Sequence, residues 1–174
     1  MPPIAVHPAV ACAREAIASG HEVQLVAALV RDDVVAVVME GEEGRYVSLV
    51  ERREGAWRAP EYLAGQRVSA APRTTYTEPY DPLPQLTCTA SMWPDAAGQQ
   101  PSSAWFALLA VAGLDAVTVV TSSQLDECHE PIGPEGLVLH VLRVPTGTWP
   151  EITVTTLDGR LLPVHRDKRA YNAV

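Results

Sequence analysis

Apolar positions follow two rhythms along this chain. Between residues 8 and 19 they fall at helical spacing: Val10, Ala13 and Ile17 share one face while Arg14 and Glu15 turn away. Pro8 suits a first helical position and Gly20 a left-handed C-cap, so one short N-terminal helix is predicted over 8–19. Its apolar stripe is narrow, which suits packing on a single sheet face. From Glu22 the rhythm becomes period two and rich in β-branched residues. Four strands are expected at about 22–30, 34–39, 45–52 and 57–63, separated by Arg31-Asp32-Asp33, the Gly41-to-Gly44 turn and Glu54-Gly55. Connections this short make consecutive strands antiparallel neighbours, a meander. Val34 to Val38 is apolar on both faces, which places that strand centrally, between two layers.

Residues 102–112 carry both helix and strand signals. Ser102-Ser103 before the run and Gly113 after it could start and stop a helix, yet the run leads through Gly113-Leu114-Asp115 into Val117-Thr118-Val119-Val120. A strand is the favoured reading. Further strands follow the 122–135 loop at about 136–144, 151–157 and 160–165, with Asp158-Gly159 as a hairpin turn.

Between the halves, residues 72–101 hold six prolines (Pro72, Pro79, Pro82, Pro84, Pro94 and Pro101). Proline cannot donate to a ladder, so a surface connector is expected here. Tyr76, Tyr80, Leu83, Leu86, Met92 and Trp93 make it too apolar for a free tether, and it should pack down over a sheet.

The halves also resemble each other. Val26–Val38 lies over Leu108–Val120 with five identities, among them Asp33/Asp115, Val35/Val117 and Val37/Val119. Gly44–Trp57 lies over Gly136–Trp149 with Gly44/Gly136, Gly55/Gly147 and Trp57/Trp149 in common. An internal repeat is one expectation from this self-similarity. The fold class expected is mainly β (all-β to α+β). Two antiparallel modules pack as sandwich-like layers: a helix plus four-stranded meander over 1–71, and an immunoglobulin-like module over 102–166. The 72–101 connector joins them, and a frayed tail occupies 167–174.

Composition narrows the function classes. The apolar fraction of 47% with 20% charged residues is that of an ordinary soluble globular chain. Twelve of thirteen basic residues are arginine, as expected from the coding bias of a GC-rich bacterial genome. The net charge of −8 is uneven, because residues 76–174 carry eleven acidic against five basic groups. An acidic half repels phosphate backbones and argues against nucleic acid. Val10-Ala11-Cys12 mimics the end of a lipoprotein signal, but it lacks a basic leader, and Pro8, Arg14 and Glu15 interrupt it. No signal peptide is expected. No window approaches eighteen apolar residues, so no membrane span is expected. Cys12, Cys88 and Cys128 are odd in number and widely spaced, which fits a reducing, cytoplasmic location.

Chemistry-bearing residues are scattered. Asp126-Glu127-Cys128-His129-Glu130 is the densest polar cluster, and Cys128 with His129 could ligate a metal if His140 or His165 joined them in the fold. Consecutive residues cannot all face one ion, so a solvated acidic loop is the expectation, with no metal or cofactor. His140 interrupts an apolar strand and is the one candidate for a buried base. Arg52, Arg53, Trp57 and Arg58 form a basic-aromatic patch that Glu51, Glu54 and Glu61 neutralise. His21-Glu22 has no second histidine four places on, and no P-loop, G-x-S-x-G or dinucleotide fingerprint occurs.

The helix followed by a meander ending in Glu54-Gly55-Ala56-Trp57-Arg58 resembles the closing strands of cone-shaped domains of the nuclear-transport-factor-2-like family. The resemblance covers under a third of the chain and lacks the several helices that wall that family's pocket. It therefore implies no ligand and no site residue here.

The function expected is a non-catalytic cytoplasmic binding or interaction module, through a protein partner or self-association. Its alternative is a small-molecule-binding protein or enzyme with a pocket between the two modules, walled by Trp93, Trp105 and Tyr76, with His140 or Arg58 as polar handle. The side chains expected to contact ligand or partner are Arg58, Trp93, Trp105, Cys128, His129 and His140.

Overall fold

Helix α1 spans Pro8–Ile17 and buries Ala9, Val10, Ala13 and Ile17, the stripe expected from spacing with one alanine added. His7 starts it: its Nδ1 accepts from the Ala9 N–H (3.2 Å), and its carbonyl accepts from Val10 N–H (2.9 Å). An imidazole thus fills the acceptor role usually given to Ser or Asp at a helix start. This computed structural model describes residues 7–17, 22–60, 64–67, 72–76, 83, 85–91 and 98–164.

Strands β1 (Gln24–Arg31), β2 (Val34–Gly41), β3 (Gly44–Arg53) and β4 (Ala56–Arg58) form the antiparallel meander that the turns foretold, and β5 (Ala64–Gln66) pairs with the other end of β3. β2 is buried on both faces. Val35, Val37 and Met39 pack under α1, while Val34, Ala36 and Val38 pack on a second sheet. Burying Val10 and Ile17 against the first face contributes about 1.5–3 kcal/mol each. A bulge between Leu25 and Ala27 leaves Val26 without a partner in β2. It shifts the phase of β1 so that Leu25 and Ala28 both face the helix, while Ala27 and Leu29 face the second sheet.

The second sheet has the order β10-β7-β6, from β6 (Gln85–Ser91), β7 (Ser103–Val111) and β10 (Leu137–Pro145). The third has the order β12-β11-β8-β9, from β8 (Ala116–Ser122), β9 (Glu127–Cys128), β11 (Glu151–Thr156) and β12 (Leu161–Pro163). β11 and β12 are the antiparallel pair flanking Asp158-Gly159, and Gly159 takes the positive φ (82°) that the turn requires. Layers therefore stack as helix, first sheet, central sheet, outer sheet. Trp105, Ala107, Leu109 and Val141 face the first sheet; Ala104, Phe106, Leu108, Val138 and Leu142 face the outer one. This double burial explains why residues 103–111 lack alternation yet form a strand.

The protein is mainly β, with one helix in its described residues and three antiparallel sheets. The expectation of two sheet modules needs refining, because the second half contributes two sheets and the central one is shared as a partner by both neighbours. Its seven strands divide three against four, and the chain crosses between sheets after β7, β9 and β10. That partition is consistent with the immunoglobulin-like architecture expected of this half. The proline-rich stretch is more than a connector: β6 lies inside it, in a gap free of proline between Pro84 and Pro94, and forms one edge of the central sheet. The self-similar segments are paired differently. Val26–Val38 is a hairpin within one sheet, whereas Leu108–Val111 and Val117–Val120 belong to two different sheets.

Residues 72–76 are clamped over the β7–β8 connection. Arg73 donates from Nε to the Ala112 carbonyl and from Nη2 to the Gly113 carbonyl (2.8 Å each), and Tyr76 Oη accepts from the Gly113 N–H (2.7 Å). Tyr76 and Leu83 are buried in the core between the central and outer sheets.

Candidate functional site

Antiparallel register builds a polar cleft between the first and central sheets. Ser91 of β6 lies opposite Trp105 of β7, which lies opposite Arg143 of β10, so the three form one row across the central sheet. Alternation sends this row toward the first sheet, where Glu51 and Arg53 of β3 close the other side. The cleft has a volume of about 210 Å³. The Arg143 guanidinium lies 4.7 Å from the centre of the Trp105 ring, and its Nη1 donates to Ser103 Oγ (3.3 Å). A cation held over an indole face is fixed without consuming all its donors. Arg53 and Glu51 approach to 3.5 Å, and Glu51 is 8% exposed. Ser91 is 5% exposed, and its hydroxyl has no hydrogen-bond partner.

The expected site residues disperse. Arg58 is exposed on β4, opposite Glu51 in register. Trp93 lies outside the described residues. Trp105 lines the cleft. Cys128 is buried between the central and outer sheets, and His129 is exposed beside Glu127 (3.4 Å). His140 is buried on the face of β10 opposite Arg143, so Trp105 and His140 look into different layers. Tyr76 belongs to the His140 side as well. Of the expected pocket walls, Trp105 and Tyr76 thus lie on opposite sides of the central sheet, with His140 on the Tyr76 side and Trp93 outside the described residues. Of the basic-aromatic patch, Trp57 packs beneath α1 against His7 (ring centres 5.0 Å), while Arg53 pairs with Glu51.

His140 is a core residue. Its Nδ1 is 2.8 Å from Thr121 Oγ1, and its Nε2 has no partner. Burial pushes its pKa down to about 4; the Glu130 backbone opposes that shift and His129 adds to it. The ring is neutral at physiological pH, and Thr121, which it meets through Nδ1, does not titrate. Burial pushes the Cys88 thiol pKa up, which keeps it unreactive. Among the described residues no group of three His, Cys, Asp or Glu side chains could hold a metal ion, so Cys128, His129 and His140 do not converge as ligands.

Sheet edges differ in how they end. The outer edge of β10 is covered by side chains: Arg31 Nη1 donates to the Val141 carbonyl (2.5 Å), Ser123 Oγ donates to the Arg143 carbonyl (2.5 Å), and Arg143 N–H donates to Asp126 Oδ2 (3.0 Å). β9 has two residues, β4 and β5 three each, and β12 ends in Pro163. β6 lies against β3 and β5 of the overlying sheet. β1 is the edge of the first sheet for eight residues, uncharged from Gln24 to Val30, with Val26 and Val30 each 38% exposed.

Two residues of the cleft, Ser91 and Arg143, escaped the sequence reading. Each is an ordinary polar residue until the β6–β7–β10 register sets them beside Trp105. Among the described residues no helix is long and apolar enough to cross a membrane. No family model, curated protein or solved structure matches the chain.

Proposed function

We propose that this protein is a non-catalytic binding module of the cytoplasm, which takes an extended segment of a protein partner along the open edge of β1. The supporting observation is the contrast between edges. β10 is capped by three side-chain hydrogen bonds and β12 ends in proline, whereas β1 offers an uncharged run from Gln24 to Val30 with outward valines. Exposed edges are ordinarily blunted by charge, proline or a covering loop, and one left open is a template for an added strand. Three free cysteines fit a reducing compartment.

The test is capture from the native host, comparing the wild-type chain with Val26→Lys/Val30→Lys, alongside sedimentation of both. Both valines are partly exposed, so the substitutions add edge charge without opening the core. A protein partner, or a second copy of the chain, should associate with the wild type and be lost from the variant. A monomer whose captured proteins are identical in both forms would overturn the reading.

A further inference from the structure

We propose that the cleft between the first and central sheets is a binding site for a small monocarboxylate, held by Arg143 and Ser91 over Trp105. This goes beyond the edge reading and does not depend on it. Two observations converge. Arg143 is positioned by the Trp105 ring and by Ser103 through Nη1, which leaves Nε and Nη2 as the paired donors that match a carboxylate. Ser91, in the same cross-strand row, presents a buried hydroxyl without a partner. Buried hydroxyls are nearly always satisfied, and one aimed into a cleft marks where an acceptor belongs.

Charge and size narrow the ligand further. Glu51 pairs with the Arg53 guanidinium, and among the described residues no carboxylate pairs with Arg143. A singly charged anion matches that one guanidinium. The cleft, at about 210 Å³, falls below the usual range of roughly 300–1,000 Å³ for drug-sized ligands. Pro101 and the rim of Trp105 supply an apolar wall, so the acid should carry a compact apolar body.

Titration of the full chain with benzoate, followed by ¹H–¹⁵N spectra, tests the assignment. Benzamide serves as the neutral control and inorganic phosphate as the alternative anion. Benzoate should saturate a single site and shift the Trp105 indole N–H and the Ser91 amide, while benzamide should not. Arg143→Met should weaken benzoate binding on the order of tenfold or more. Ser91→Ala should weaken it by roughly three- to tenfold without lowering the thermal midpoint, because the lost hydroxyl had no partner. Failure to saturate by about 20 mM benzoate would overturn the proposal. Equal responses to benzamide, saturation by phosphate alone, or undiminished binding by Arg143→Met would also overturn it.

Discussion

Arg31, at the end of β1, and Asp126, in the loop between β8 and β9, meet at 2.6 Å across 95 residues of sequence. The contact does two jobs. It ties the first sheet to the second half of the chain, and it finishes the free edge of β10. Asp126 Oδ1 accepts from Arg31 and from the Glu127 N–H (2.8 Å), and its Oδ2 accepts from Arg143 N–H (3.0 Å). Arg31 in turn donates to the Val141 carbonyl. A single carboxylate therefore satisfies two backbone donors and one guanidinium. Asp126→Ala should cost roughly 2–4 kcal/mol, since charge-assisted bonds to partly buried groups are lost together. For a chain of this length that corresponds to a thermal midpoint about 5–15 °C lower. Thermal unfolding of the two forms checks it; a shift under about 2 °C would show the clasp to be incidental.

The clamp on residues 72–76 makes a second prediction. A Cβ added at Gly113 would lie 2.6 Å from two ring carbons of Tyr76 and 3.0 Å from the Thr74 carbonyl oxygen. The ring cannot yield easily, because Tyr76 is buried and its Oη accepts from the Gly113 N–H. Gly113→Ala should destabilise by about 2–4 kcal/mol through overpacking beside the core between the central and outer sheets. Gly147→Ala is the control. Its φ is positive (78°), unlike that of Gly113, but an added Cβ there meets nothing within 4 Å, so it should cost only about 1 kcal/mol of backbone strain. Urea denaturation separates the two substitutions by their midpoints, and equal losses would mean the Tyr76 contact is soft.

How much of this was legible in the sequence follows from the range of each signal. Helix α1, the meander and the Asp158-Gly159 hairpin are local: their spacing, turns and caps lie within a few residues of each other. Val34–Val38 was readable as doubly buried because both faces of one strand are written in one run. The Val26 bulge was not, since one extra residue reverses the faces of β1 without changing its composition. β6 was hidden by six surrounding prolines, although its own seven residues contain none. The Trp105 cleft and the separation of Trp105 from His140 depend on register between strands far apart in the chain. Trp105 lies opposite Arg143 and His140 opposite Leu108, a pairing that no local pattern specifies. The same reason explains why Val26–Val38 and Leu108–Val120 look alike but are built into different sheets: alternation describes a strand and is silent about its neighbours.

His140 makes the pH dependence of this fold specific. Its folded pKa of about 4 lies below the ordinary value of 6.5, because burial between the central and outer sheets penalises the imidazolium. Above pH 6.5 both folded and unfolded chains hold the ring neutral, so it contributes no slope. Between pH 6.5 and 4 the unfolded chain binds a proton that the folded chain does not, and stability falls as pH falls. Below pH 4 both states are protonated and the loss levels off at roughly 3 kcal/mol. Replacing the ring alone leaves Thr121 Oγ1, 2.8 Å from Nδ1, without its partner. The informative variant is therefore His140→Leu/Thr121→Val, which removes both ends of the hydrogen bond and the unpartnered Nε2 together. Denaturant-derived stability of the double variant should match or exceed wild type at pH 7, and its slope between pH 6.5 and 4 should be shallower by the His140 share. An unchanged slope would show that this imidazole is not the group that titrates on unfolding. A double variant much less stable at pH 7 would instead show that the polar pair does more for the packing of β8 against β10 than apolar side chains can.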